Sequence, residues 1–187
     1  MPSSPPSKPE KHASSFLDLT GEARVRELMD QFALTLNDPD DQEWTKALFP
    51  HLKVVSVSPD GPHPSVTFSF VVQPVHCNRL GNLHGGCTAS IFDFTTSIVL
   101  AIIAHPGYWS YLGVSRTLNT TYLRPAPVGG EVIIRCELVQ VGQRLATVRG
   151  TMHRRGPGAL GTGEENGPLV ATCEHGKFNT DPGVAKA

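Results

Sequence analysis

The chain has 187 residues, with 16 Lys and Arg against 17 Asp and Glu and a formal net charge of −1. That length suits one domain with appendages, large enough to bury a core, and the balanced charge excludes an electrostatic nucleic-acid binder. The four cysteines (Cys77, Cys87, Cys136 and Cys173) lack CxxC or Cys/His spacing, so neither a zinc site nor a redox pair is signalled, and reduced thiols in an intracellular compartment are expected.

Met1 to Glu10 is rich in Pro and Ser without an apolar core, so no secretory signal is expected there. Glu10 and the lack of arginine argue against a mitochondrial presequence. We expect four regions: a disordered tail over 1–15, a helical extension over 16–50, the main domain over 51–180 and a tail over 181–187. Val25, Leu28, Met29, Phe32 and Leu36 repeat at helical spacing, with Glu22, Arg24, Arg26, Glu27 and Asp30 on the other face. This predicts an amphipathic helix from Gly21 to Asn37, stopped by Asn37-Asp38-Pro39. Asp40 followed by Glu43 resembles a capping box for a second short helix containing Trp44, Ala47 and Leu48. Both helices are expected to form a lid or packing layer over a sheet.

From His51 the period changes to two. Val54 to Ser58 and Ser65 to Val72, joined through Pro59-Asp60-Gly61-Pro62, predict a hairpin. A long apolar helix is expected over Gly86 to Ala104, about 28 Å at the usual rise per residue. The longest apolar run, Ile98 to Ala104, is too short to span a bilayer. Four strands follow: Tyr111 to Leu123, Glu131 to Val141, Arg144 to His153 and Leu169 to Phe178. Gly142-Gln143 is expected to turn the second into the third, and Arg154 to Pro168 to form an extended loop. The order β-β-α-β-β-β-β implies an α+β fold, with an antiparallel sheet wrapped around one central helix.

The chemistry concentrates at Asn78 to Gly86. Two glycines at a helix start leave backbone N–H groups open to a ligand oxygen, a design that polarises a carbonyl. Gly86, Ser90, Asp93 and Ser97 form one small, polar stripe, with Ile91, Phe94, Ile98 and Ile102 opposite. A carboxylate at Asp93 can activate a water or attack directly. His84 and Asp93 are about 12 Å apart along one helix. Both can serve one carbonyl only if a second copy of the chain completes the site, so a dimer with shared sites is favoured. Cys87, one residue inside the helix, is a candidate for a lowered thiol pKa.

Asn78, His84-Gly85-Gly86, Asp93, Gly113-Val114-Ser115 and Asn119 to Ala126 together resemble the PaaI-like acyl-CoA thioesterases of the hotdog superfamily, in particular its eukaryotic thioesterase superfamily members. The resemblance covers His51 to Phe178. It implies a hotdog fold, back-to-back dimers assembling into a tetramer, and cofactor-free hydrolysis of acyl-CoA without a metal. By position, it implies that Asp93 is the general base or nucleophile, and that Gly85 polarises the thioester carbonyl with Gly86 beside it. His84 would fix the turn, Asn78 hold substrate or water, and Ser115 assist the water and the carboxylate. Tyr122, Arg124 and Lys177 are candidates for the CoA moiety. Two other readings remain on the same fold, an enoyl-thioester hydratase or dehydratase and a non-catalytic acyl-CoA-binding module. A cytoplasmic location is expected, with the mitochondrial matrix as the alternative.

Overall fold

The structure, a computed structural model, describes residues 15–35, 44–156 and 167–182. The expected tail over 1–14, the Asn37-Asp38-Pro39 stop, the Asp40/Glu43 box, loop residues 157–166 and tail residues 183–187 lie outside the described residues.

Six strands form one antiparallel sheet in the order β1-β2-β4-β5-β6-β3. They are β1 (Leu52–Ser58), β2 (Ser65–Val71), β3 (Val114–Tyr122), β4 (Glu131–Val141), β5 (Leu145–Arg154) and β6 (Leu169–Phe178). Helix α2 (Gly85–Val99), extended by a 3-10 turn over Leu100–Ile102, lies on the inner face. Register puts Phe68, Ile134, Met152 and Ala171 in one row across four strands, and Val66, Cys136, Gly150 and Cys173 in the next. Alternation along each strand thus delivers a continuous apolar face to the helix. Helix and sheet meet closely because Gly150 carries no side chain: a Cβ there would fall 2.8 Å from the Phe92 ring.

The apolar helix is the core of the fold. Gly85–Ile102 is the one helical stretch among the described residues long and apolar enough to cross a membrane by composition, and 56% of it is buried against the protein itself. Buried Thr88, Thr95 and Thr96 turn their hydroxyls back onto backbone carbonyls one helical turn earlier, so none of these three hydroxyls is stranded in the core.

Helix α1 (Gly21–Thr35) buries Val25 and Leu28 as its period requires. It packs on the end of α2 and on the edge strand β1. Arg24, expected on the solvated face, is instead 6% exposed. Its guanidinium donates to the carbonyls of Ala101 and Ile102, both at 3.3 Å, and to Leu17 at 3.4 Å. The last turn of a helix has unpaired carbonyls and a partial negative charge, and a cation there is stabilising. The second short helix is a pair of 3-10 turns, Trp44–Ala47 and Phe49–His51, with Trp44 exposed.

Several strand boundaries differ from expectation by one to three residues, and at two places the cause is visible. Strand β3 starts at Val114 rather than Tyr111, because Trp109 and Leu112 take left-handed backbone (φ 55° each). The Asp181 carboxylate accepts from the Ser110 and Tyr111 N–H groups at 2.8 and 3.3 Å, which holds this segment as a loop. The β4–β5 turn is one residue later than Gly142-Gln143: the Gly142 N–H donates to the Leu145 carbonyl at 2.8 Å, leaving Gln143 and Arg144 at the tip.

Candidate active site

His84 is the N-cap of α2, and its Nδ1 accepts from the Gly86 N–H at 3.0 Å. That bond engages Gly86, which therefore offers no free backbone donor. The Gly85 N–H makes no hydrogen bond among the described residues. The helix start thus presents the Gly85 N–H as an open donor backed by the helix dipole.

The Asn78 Oδ1 accepts from the Leu80 and Asn82 N–H groups at 2.9 and 3.3 Å. The loop leading into α2 is closed on itself by this side chain, and the amide nitrogen of Asn78 is left facing outward from those bonds.

Two turns along α2, Asp93 emerges on the small-residue stripe with its side chain 48% exposed. Ser115 on β3 donates to Asp93 Oδ1 at 2.6 Å, a short charge-assisted bond. A bulge makes this contact possible. Moving along β3 from Tyr122, every second residue faces α2: Tyr122 opposite Ala171, Thr120 opposite Cys173, Leu118 opposite His175. Strict alternation would next bring Arg116 inward. The register shifts between Ser115 and Thr117, so Ser115 pairs with Lys177 and takes the inward place.

Behind Asp93 lie two ionisable groups from β6. His175 is fully buried; its Nδ1 is 2.6 Å from Thr96 Oγ1, and its Nε2 is 3.4 Å from Asp93 Oδ1 without making a hydrogen bond. Burial first, and then the nearby Lys177 charge, hold the imidazole well below its ordinary value, to about 4, against the opposing pull of Asp93. It is neutral at physiological pH. Lys177, expected at the CoA moiety, is only 4% exposed and donates to Ser97 Oγ at 2.8 Å. Ser97 in turn donates to the Asp93 carbonyl at 2.6 Å. Burial lowers the Lys177 ammonium to about 8, with Asp93 opposing. Lys177 is therefore part of the wall behind Asp93, not a surface cation.

The other expected carrier contacts are also placed. Arg124 is exposed and donates to the Leu169 carbonyl at 3.0 Å, which leaves the rest of its guanidinium in solvent. Tyr122 donates its hydroxyl proton to the Gly85 carbonyl at 3.0 Å. Cys87 does not have a lowered pKa; burial pushes its thiol up to about 11, so it is not a thiolate nucleophile. His175 escaped the sequence reading. Its signal was there: Ala171, Cys173, His175 and Lys177 share one face of a strand whose first members are apolar, so two ionisable residues were on course for the core.

The chain is similar to proteins of known family. The model of the thioesterase superfamily matches residues 80–160. Acyl-coenzyme A thioesterase 13 of Mus musculus is 31% identical over 106 residues, covering 57% of this chain and 66% of the mouse protein. The chain thus spans just under two thirds of that relative's length. Among solved structures, zebrafish thioesterase superfamily member 2 has a TM-score of 0.63 at 25% identity, covering 86% of this chain and 98% of the zebrafish one. A hypothetical thioesterase from Streptococcus pneumoniae, solved with coenzyme A, has a TM-score of 0.61 over 82% of this chain and 97% of its own, and at 17% identity speaks to the fold alone. The sheet wrapped around α2 is the hotdog fold, and residues 80–160 within it match the thioesterase superfamily.

Proposed function

We propose that the protein is an acyl-CoA thioesterase that hydrolyses its substrate to a carboxylic acid and CoA, with each active site shared between two copies of the chain. The observation that carries this reading is the pairing of an ionisable carboxylate, oriented by Ser115 at 2.6 Å, with an unengaged Gly85 N–H on the same helix. Gly85 and Asp93 are eight residues apart in sequence, about 12 Å along α2. One carbonyl cannot touch both in one subunit. Two α2 helices running antiparallel across a two-fold axis bring Gly85 of one copy opposite Asp93 of the other.

In this arrangement the Gly85 N–H donates to the thioester carbonyl oxygen and stabilises the negative charge that develops on it. Asp93 takes a proton from water as the water oxygen bonds to the carbonyl carbon. The C–S bond then breaks, the thiolate leaves and takes up the proton, and the acid is released. Direct attack by the Asp93 carboxylate, with water hydrolysing the resulting anhydride, gives the same products. In this reading the amide of Asn78, whose oxygen closes the loop, holds substrate or water, and exposed Arg124 meets the CoA phosphates. No cofactor or metal takes part. Back-to-back association of two dimers into a tetramer and a cytoplasmic or matrix setting belong to the same reading.

The mouse relative's name, acyl-coenzyme A thioesterase 13, supports CoA as the carrier. A free-thiol assay over short, medium, long and aryl acyl-CoAs tests the activity, and Asp93→Asn tests the mechanism. Hydrolysis that survives Asp93→Asn undiminished rules the mechanism out. Site sharing is tested with Gly85→Pro, which removes the N–H at the first helical position, where proline fits. Each variant alone is expected to be inactive, while mixed dimers of Asp93→Asn and Gly85→Pro subunits regain turnover at their one intact site. Inactive mixed dimers would place both groups in one subunit's site.

A further inference from the structure

The peptide unit joining Gly85 to Gly86 is gripped at both ends. Its carbonyl accepts from Tyr122 Oη at 3.0 Å, and its N–H donates to His84 Nδ1 at 3.0 Å. Tyr122 stands on the inward row of β3, level with Ala171, so the sheet edge delivers it to the start of α2. Its ring lies against Gly85: a Cβ built there would be 3.5 Å from the ring.

Two consecutive glycines are the most mobile backbone that a helix start can have. The open donor, the Gly85 N–H, belongs to the preceding peptide and is hinged to the gripped one at the Gly85 Cα. Any rotation at Gly85 re-aims that donor, and a donor contributes most to stabilising developing charge when its direction is set beforehand. The absence of side chains lets a carbonyl approach; the grip restores the rigidity that this absence removes. Tyr122 is 54% exposed, so little of its ring serves the core.

We infer that Tyr122 is a positioning residue of the oxyanion-binding turn, its hydroxyl locking the Gly85–Gly86 peptide so that the Gly85 N–H stays aimed at the substrate carbonyl. This rests on the thioesterase reading above. It also separates Tyr122 from the carrier-binding role expected of it, since the phenolic proton is committed to the Gly85 carbonyl.

The test is Tyr122→Phe in the full-length protein, which keeps the ring and removes one hydrogen bond. With the best acyl-CoA of the panel, kcat should fall roughly three- to ten-fold, the range one such bond supplies. KM and the inhibition constant for free CoA should stay within about two-fold, because no substrate contact is lost. Amide hydrogen exchange at Gly86, whose N–H is bonded to His84, should quicken, while exchange along β4 and β5 stays unchanged. Unaltered kcat together with unaltered exchange overturns the inference. A rise in KM and in the CoA inhibition constant at constant kcat also overturns it, by making Tyr122 a carrier contact. If the wild type hydrolyses no acyl-CoA, the functional reading fails on its own; the exchange experiment then still decides whether Tyr122 locks the turn, and unaltered exchange sinks the lock as well.

Discussion

The Nε2 atom of His175 lies 3.4 Å from Asp93 Oδ1, with the imidazole fully buried and the carboxylate half open to solvent. The unfolded chain protonates this histidine near 6.5, whereas the folded chain does so only near 4. Between those values the unfolded state binds the extra proton, so the contribution of His175 is fully present above pH 6.5 and is lost as pH falls toward 4. Lys177 acts at the other end of the scale: its value drops from 10.5 to about 8, so between those values stability rises with pH. Denaturant unfolding over a pH series is expected to show both slopes, each on the order of a few kcal/mol across its window. In His175→Gln the acid slope flattens and the alkaline one remains, and in Lys177→Met the reverse holds. A histidine variant that keeps the full acid slope would assign it to other groups.

Ser115 is bonded to the same Asp93 oxygen at 2.6 Å. A hydrogen bond to a charged acceptor is worth about 1.5–3 kcal/mol. Ser115→Ala is therefore expected to lower kcat roughly ten- to hundred-fold, with Ser115→Thr recovering part of the loss if the extra methyl fits beside the carboxylate. Because Ser115 is exposed, its alanine variant should unfold within a degree or two of wild type. Steady-state kinetics beside a melting curve checks both statements, and a Ser115→Ala protein with full kcat would remove the residue from the mechanism.

Gly150 lies under the helix, where a methyl group would be 2.8 Å from the Phe92 ring and 3.3 Å from Thr96 Cγ2. Gly150→Ala is expected to cost roughly 1–3 kcal/mol as an overpacked core. Thr96 also holds the His175 ring, at 2.6 Å. The same substitution should therefore disturb the pH window of His175, which Gly130→Ala, far from that ring, should leave alone. Calorimetry at pH 7 and pH 5 separates the two effects.

Periodicity revealed most of the architecture. The spans expected for the strands Glu131–Val141 and Leu169–Phe178 are the spans found, and alternate residues face the core in each: Val132, Ile134, Cys136 and Leu138 in one, Ala171, Cys173, His175 and Lys177 in the other. The central helix and its open polar stripe were likewise legible in Gly86, Ser90, Asp93 and Ser97. Where a single residue departs from its local rule, the pattern was silent. Arg24 occupies a polar helical position, and nothing local tells that it will reach carbonyls 77 and 78 residues away. Ser115 faces Asp93 only through the bulge, since strict alternation assigns the inward place to Arg116. The resemblance to a family pointed at Ser115; the strand's own pattern pointed away from it. Lys177 was read as a candidate contact for the CoA moiety because its charge was weighed ahead of its place in the alternation of β6.

Arg24 also sets an order of events for the growing chain. A polypeptide leaves the ribosome from its N-terminus, so helix α1 is made well before the residues that its guanidinium binds at Ala101 and Ile102. Until some eighty more residues have emerged, the carbonyls that Arg24 clasps are missing, and this amphipathic helix has only the β1 side of its docking place. Helix α1, made before the rest of its clasp, is thus among the last elements to be fully seated. A cut between α1 and β1 would separate the clasp from what it fastens, leaving the end of the central helix to fray toward Asp93.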